Sequence, residues 1–403
     1  MKFIVVHAGR RDDYQVALAL YEDQMLYCLI TDYYSPDCWF FQMLSRISPS
    51  KVTNLINRRY KRELPRRKVS IKYMACIYGI LYRITRKTYF SKRKDQVLGE
   101  YARKHSLKRG IPILSMSTYA AYAFNNNPIK PKLLFQFHPT STYVKNILKE
   151  EILLNPISKH SIEEEYEFSL SNESIEALSS EAQLADYVIC ASSVTKDSLV
   201  TDNIPSSKIK VIPYGVDLEL FPYKERERET NTFKVIFIGS LNQRKGVTYL
   251  LDAVDGLSNV ELIIVTRGIF DSNLLSSYNT KKIHLYQNIP HADLLGLLHR
   301  ADCFILPSLV EGFGQVILEA MSTGLPVIVT ENTIAKDLIE DRINGFIVPI
   351  RCSKSIREHI LFLQNNPSLA NQIGFTASQM AQRYTWEKFR RNISNYILTL
   401  NSK

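Results

Sequence analysis

The residues best placed to do chemistry in this 403-residue chain stand in the segment LPSLVEGFGQVILEAMSTGLPVIVT (306–330). An apolar run ending at Pro307–Ser308 reads as a buried strand. The loop after it carries Glu311, Gly312, Phe313 and Gly314, and a helix follows over 315–323. Glycines at a helix N-terminus leave backbone N–H groups approachable, and together with the helix dipole they make a site for an anion such as a diphosphate. Glu319 lies on that helix, where a carboxylate can accept two hydrogen bonds from a vicinal diol such as a ribose offers. Composition leaves a plainer reading open, in which Glu311 is a helix N-terminal charge and Glu319 a surface residue. The position of Glu319 between Leu318 and Ala320 in an otherwise apolar helix weakens that alternative.

A second segment, FIGSLNQRKGVTYLLDA (237–253), runs from a strand through Gly239 and Arg244–Lys245–Gly246 into a helix. Cations at a strand-to-helix turn neutralise a diphosphate leaving group, although a solvated surface pair has the same signature. The Walker phosphate loop is absent, since GxxxxGK[ST] does not occur here. His138, in FQFHPT, ends a strand, where it either bonds a hydroxyl across a cleft or is satisfied within the core. Gly9 and Arg10 follow the first strand and are a candidate donor or acceptor loop, or an ordinary βα turn. There is no DxD triplet and no His/Cys cluster, so no metal and no cofactor are expected.

The elements that must position these residues alternate. In the second half, strands are expected at 233–239, 260–265, 283–289, 303–308, 326–330 and 345–349, with helices at 246–256, 291–300 and 315–323 between them. In the first half the strand candidates are 2–7, 26–31, 133–138 and 187–192. Strands alternating with helices imply an α/β fold with parallel, doubly wound sheets, which bind ligands beyond the carboxyl ends of their strands. The length suits two domains. VIPYGVDLELF (211–221) gives way to the charged run KERERET, which sets the boundary near 213–230.

Composition is ordinary for a globular protein, at 45% hydrophobic and 23% charged. The six cysteines form no CxxC pair and fit reduced thiols in a cytosolic protein. The apolar N-terminus is too short for a signal peptide, and no apolar run reaches the length of a membrane span, so any membrane contact is expected to be peripheral. Net charge is +11, but twenty Lys and Arg stand against three acidic residues between Arg46 and Arg109, so the remainder is net acidic. Such a stretch points to an anionic partner: a lipid surface, a polyphosphate-bearing acceptor or nucleic acid. Tyr60, Tyr73, Tyr78, Tyr82 and Tyr89 are interleaved in it, and its helical patterns are expected to lie over one edge of the first sheet. No helix-turn-helix, RNP-like or zinc pattern supports nucleic acid, so none is expected as a partner.

Taken together, HPTSTYVKNILKEE (138–151), ADYVICASSVTKDSL (185–199), KVIPYGVDLELF (210–221), IGSLNQRKG (238–246), ADCFILPSLVEGFGQVILEAMSTGLPVIVT (301–330) and NGFIVP (344–349) resemble glycosyltransferase family 4, the retaining group 1 transferases of GT-B fold. The resemblance implies two Rossmann-like domains with the active site in the cleft between them. It assigns residues 1–213, including the basic helical segment 46–110, to an acceptor-binding domain. Residues 214–385 would bind the nucleotide sugar, and 386–403 would form a helix packing back on the first domain. It implies a metal-independent hexosyl transfer to a glycan or lipid-linked acceptor in polysaccharide or glycolipid synthesis, in the cytoplasm or peripherally on the inner face of the cell membrane. Glu311 and His138 would face the transferred sugar. Glu319 would hold the ribose, and Arg244, Lys245, Gly312, Phe313 and Gly314 would hold the diphosphate. Many members carry Arg directly after the glycine of the IGSL segment; Ser240 stands there in this chain, and the guanidinium role falls to Arg244. The same fold serves sugar-phosphate phosphorylases and nucleotide-sugar epimerases, and the non-enzymatic alternative is a basic nucleic-acid- or membrane-binding protein. Residues 46–110 match no motif of the family.

Overall fold

The structure is a computed structural model that describes residues 1–34, 59–226, 232–268, 273–276, 278 and 280–400. Its first strand, β1 (Phe3–Val6), is FIVV with every side chain fully buried, as a strand covered on both faces requires. β2 (Leu26–Thr31), β3 (Val69–Ile71), β4 (Ile113–Met116), β5 (Leu133–Gln136), β6 (Tyr187–Cys190) and β7 (Ile209–Val211) complete a seven-stranded sheet in the order β3-β2-β1-β4-β5-β6-β7. β8 (Phe233–Ile238), β9 (Val260–Thr266), β10 (Ile283–Gln287), β11 (Cys303–Leu306), β12 (Val327–Thr330) and β13 (Phe346–Val348) form a second sheet in the order β10-β9-β8-β11-β12-β13. All pairings are parallel. These are the two Rossmann-like domains of the GT-B fold. In each sheet the strand order reverses at one place, between β1 and β4 and between β8 and β11, and that is where a doubly wound sheet opens a crevice.

The strands read from the sequence are present, and the structure adds β3, β4 and β7. β3 and β7 have three residues each at the two edges of their sheet, too few to show a pattern. β4 is ILSM, whose buried serine breaks the apolar run. Residues 212–232 join the last strand of the first sheet to the first strand of the second.

The described part of the basic stretch holds the edge strand β3 and two helices, Tyr73–Thr85 and Thr88–Arg109. The longer one was expected at an edge of the sheet but lies across its face, touching β1, β2 and β4. Gly99 lets this helix press on the segment Tyr119–Ala123, since a Cβ there would sit 2.5 Å from the Tyr119 carbonyl oxygen and 2.6 Å from Tyr122 Cβ. The expectations for residues 46–58, and for Cys38, lie outside the described residues. The helix Trp386–Leu400 packs on Gln15–Glu22 of the first domain, where Ser394 Oγ donates to the Ala19 carbonyl at 3.0 Å and Arg390 Nε to Glu22 at 2.8 Å. Among the described residues no helix is long and apolar enough to cross a membrane.

Candidate functional site

The chain leaves β11 into the loop Ser308–Gly314, and two glycines decide its path. Gly314 has φ +77°, a conformation that side chains resist, and it turns the chain into the helix Gln315–Ser322. Gly312 lies so close to the first domain that a Cβ would stand 2.5 Å from the Phe137 carbonyl oxygen and 3.1 Å from His138 Cα. Hydroxyls of Ser192 and Thr195, also from the first domain, donate to the Gly312 carbonyl. The loop of one domain is therefore clamped to the strand end of the other, and Glu311 comes to lie beside His138.

Arg244 and Lys245 reach the same place from β8. A short turn, Gln243–Lys245, is capped by Asn242, whose Oδ1 accepts from Lys245 N at 3.2 Å. Gly246 follows at φ +70°, and a Cβ there would overlap the Pro307 carbonyl oxygen at 2.0 Å, so only glycine lets this turn rest against the end of β11. Lys245 Nζ forms an ion pair with Glu311 Oε2. Arg244 brings its Nη1 to 3.5 Å from Glu311 Oε2 and donates Nε to Glu165 Oε2 at 2.9 Å.

The electrostatics follow from burial and these neighbours. Burial pushes the Glu311 carboxyl up, but Lys245 and Arg244 together overcome it and hold it down at about 2. Burial lowers the Lys245 ammonium against the opposing pull of Glu311. Arg244 loses by burial but is raised on balance by Glu311 and Glu165. Burial, with Arg244 nearby, lowers His138 to about 4, so its ring is neutral at pH 7. Its Nδ1 lies 3.2 Å from the Pro139 carbonyl, which sets the tautomer that leaves Nε2 as an acceptor.

Two cavities meet at Arg244. One, of about 430 Å³, opens between β8 and β11 and is bordered by Gly239, Lys245, Glu311, Gly314 and Glu319. Glu319 is 6% exposed; its Oε1 stands 3.4 Å from His291 Nε2, and its buried Oε2 has no partner in the protein. A buried carboxylate oxygen without a donor is costly and suits a ligand that supplies one. The other cavity, of about 320 Å³, lies in the first domain and is bordered by Arg11, Lys94, Ser117, His138 and Glu165. Arg11, Ser117 and His138 follow β1, β4 and β5, so the crevice of the first sheet supplies this cavity as that of the second supplies the other.

Glu311, His138, Arg244, Lys245, Gly314 and Glu319 thus converge. Phe313 is buried against the Tyr214 ring at 5.1 Å, which leaves only its backbone for an anion. Gly9 donates its N–H to Asp32 at 2.9 Å, and Arg10 pairs with Asp13; neither borders these two cavities. The cation that does is the next residue, Arg11, stacked on the Phe137 ring at 4.1 Å. Sequence reasoning also missed an acidic clasp between the domains. Fully buried Glu151 accepts from Arg351 Nε at 2.8 Å, Gln243 Nε2 at 2.7 Å and Tyr249 at 2.9 Å, beside the Glu165–Arg244 pair. Both carboxylates sit in a stretch with many acidic residues, and only the fold singles them out.

Residues 223–380 match the family model of glycosyl transferases group 1. An uncharacterised glycosyltransferase from Methanocaldococcus jannaschii is 29% identical over 217 residues, covering 51% of this chain and 57% of the other. The Escherichia coli UDP-Gal:alpha-D-GlcNAc-diphosphoundecaprenol alpha-1,3-galactosyltransferase is 31% identical over 192 residues, covering 42% of this chain and 49% of the other. The chain thus spans about half the length of these relatives. Among solved structures, Anabaena HepE in complex with UDP-glucose superposes with a TM-score of 0.65 at 16% identity, over 99% of this chain and 100% of that one. That likeness is one of fold.

Proposed function

We propose that this chain is a glycosyltransferase of the retaining, metal-independent kind, moving a hexosyl group from a nucleotide sugar to a glycan or lipid-linked acceptor at the cytoplasmic face of a membrane. The observation that carries the reading is the ionised Glu311 in the larger cavity, beside the Arg244 at which the two cavities meet and flanked by Lys245 and neutral His138. The group 1 match over the second domain supports it, as do the nucleotide sugars named for the Escherichia coli relative and the Anabaena structure.

In this reading the nucleoside lies in the larger cavity, with its ribose diol donating to the unpartnered oxygen of Glu319. The diphosphate lies against Lys245, Arg244 and the backbone at the start of the helix Gln315–Ser322. As the bond from sugar to phosphate lengthens, negative charge grows on the diphosphate and the two cations offset it, which is the task a metal performs elsewhere. Positive charge grows on the sugar ring, and the Glu311 carboxylate faces it. His138 holds a sugar hydroxyl without adding charge. The acceptor enters from the cavity of the first domain.

A thermal-shift screen against UDP-, GDP- and ADP-sugars tests the donor site. A ligand at a hundred times its dissociation constant stabilises the fold by roughly 2.7 kcal/mol. Stabilisation by one nucleotide family, lost in Glu319→Ala, is the expected result. No shift with any nucleotide sugar would refute the reading. Turnover of a sugar phosphate or epimerisation of the donor, without transfer, would assign the fold's other activities.

A further inference from the structure

The helix Tyr73–Thr85 turns its apolar side outward. Tyr73, Met74, Ile77, Ile80 and Ile84 are exposed, Ile84 at 73% and Tyr73 at 66%. Their spacing puts them on one face, and Tyr89 on the next helix is 59% exposed. Single exposed apolar residues are ordinary, but six large ones within residues 73–89 form a patch that calls for a partner. The surroundings are cationic. Arg66, Arg67, Arg83, Arg86, Lys87 and Lys92 are exposed, and between Leu64 and Lys94 the chain has no Asp or Glu at all. An apolar row on a segment whose exposed charges are all cations complements an interface that is apolar within and anionic at its rim.

The same helices border a route to the reacting groups. Tyr82 and Tyr89, with Tyr122 and Tyr166, line a cavity of about 270 Å³. Ser91, Asp95, Thr118 and Tyr166 border both this cavity and the one that reaches His138 and Arg244.

We infer that the helix Tyr73–Thr85 docks this protein on an anionic bilayer, with Tyr73, Met74, Ile77, Ile80 and Ile84 seated in the interface and Arg83, Arg86 and Lys87 against lipid phosphates. The tyrosine-lined cavities then lead an amphiphilic, membrane-borne acceptor from that surface toward His138. The choice of acceptor rests on the glycosyl-transfer reading above; the docking surface does not. Neutral apolar contact alone would leave the cations without purpose.

Co-sedimentation of the full chain with vesicles of phosphatidylcholine, with and without phosphatidylglycerol, tests the inference. Binding is expected to the anionic vesicles only and to fall with added salt. A triple variant Arg83→Gln, Arg86→Gln, Lys87→Gln should lower partitioning on the order of a hundredfold, at a few-fold for each cation near the surface. The variant Ile77→Ser, Ile80→Ser, Ile84→Ser should lower it at least tenfold, while melting temperature and the nucleotide-induced thermal shift stay as in the parent. Equal binding to neutral vesicles, or none to anionic ones at low salt, overturns the inference. A lower melting temperature with unchanged partitioning in the Ile variant also overturns it, because the row is then covered by protein. The nucleotide shift reports separately on the catalytic reading, so failure of one is distinguishable from failure of the other.

Discussion

Replacing Lys245 by Met removes the ammonium but keeps most of the stem, and the geometry around it sets two consequences. The first is on the rate. Lys245 is one of two cations beside the site assigned to the leaving diphosphate, and loss of such a preorganised group costs about 3 kcal/mol, a hundredfold or more in kcat. The second is on Glu311. Its carboxyl is held at about 2 rather than 4.5, with Lys245 the foremost of the groups that lower it. That interval corresponds to about 3 kcal/mol in favour of the ionised form, in a side chain only 14% exposed. Because the folded value lies below the unfolded one, the stability Glu311 contributes is complete above pH 4.5 and is lost as pH falls toward 2. Without Lys245, burial still pushes the carboxyl up, and with His138 neutral above about pH 4 the charge left to oppose it is Arg244, 3.5 Å away. The acid limb of the pH–rate profile should therefore appear in Lys245→Met at a pH where the parent is flat. Steady-state kinetics between pH 4.5 and 8, on parent and variant, read both effects. A variant with kcat within threefold of the parent and the same profile would refute the assignment of Lys245 and the account of Glu311.

Other outcomes follow from the same contacts. Glu319→Ala should weaken nucleotide binding by about 1.5–3 kcal/mol, the usual range for a hydrogen bond to a charged group, with kcat at saturating donor little changed; titration calorimetry measures it. Glu151→Ala leaves Gln243 and Tyr249 without their buried acceptor and Arg351 with Glu150 as its remaining carboxylate, and should destabilise the fold by about 1–3 kcal/mol in denaturant unfolding. Activity should survive EDTA if Arg244 and Lys245 offset the charge of the leaving diphosphate as proposed; strict dependence on a divalent ion would contradict that role.

Much of this was legible in the sequence, for identifiable reasons. β8, β9, β11 and β12 are apolar runs of parallel strands buried on both faces, and such runs announce themselves. Glu311, Lys245 and Glu319 stand beside glycines or inside an apolar helix, where a charge is out of place. Arg10 and Arg11 stand side by side after the first strand, and only the Phe137 ring shows that Arg11 is the one that enters the cavity. Glu151 and Glu165 were not legible, since their partners Arg351 and Arg244 lie far along the chain and in the other domain. The basic stretch gave its charge but not its face: Ile77, Ile80 and Ile84 keep helical spacing, which suits a buried stripe as well as an exposed one, and only the packing of Thr88–Arg109 on the sheet turns that stripe outward.

The measurement that tests the central claim most directly is transfer itself. The protein is incubated with each nucleotide sugar labelled in its sugar, together with membrane lipid extracts and glycans as acceptors, and product is followed alongside nucleotide release. The account predicts that the label moves to an acceptor with release of the nucleoside diphosphate and with the anomeric configuration of the donor kept, as read by NMR of the product. It predicts that Glu311→Ala abolishes transfer while nucleotide binding persists. Full transfer by Glu311→Ala, or an inverted product, would contradict it.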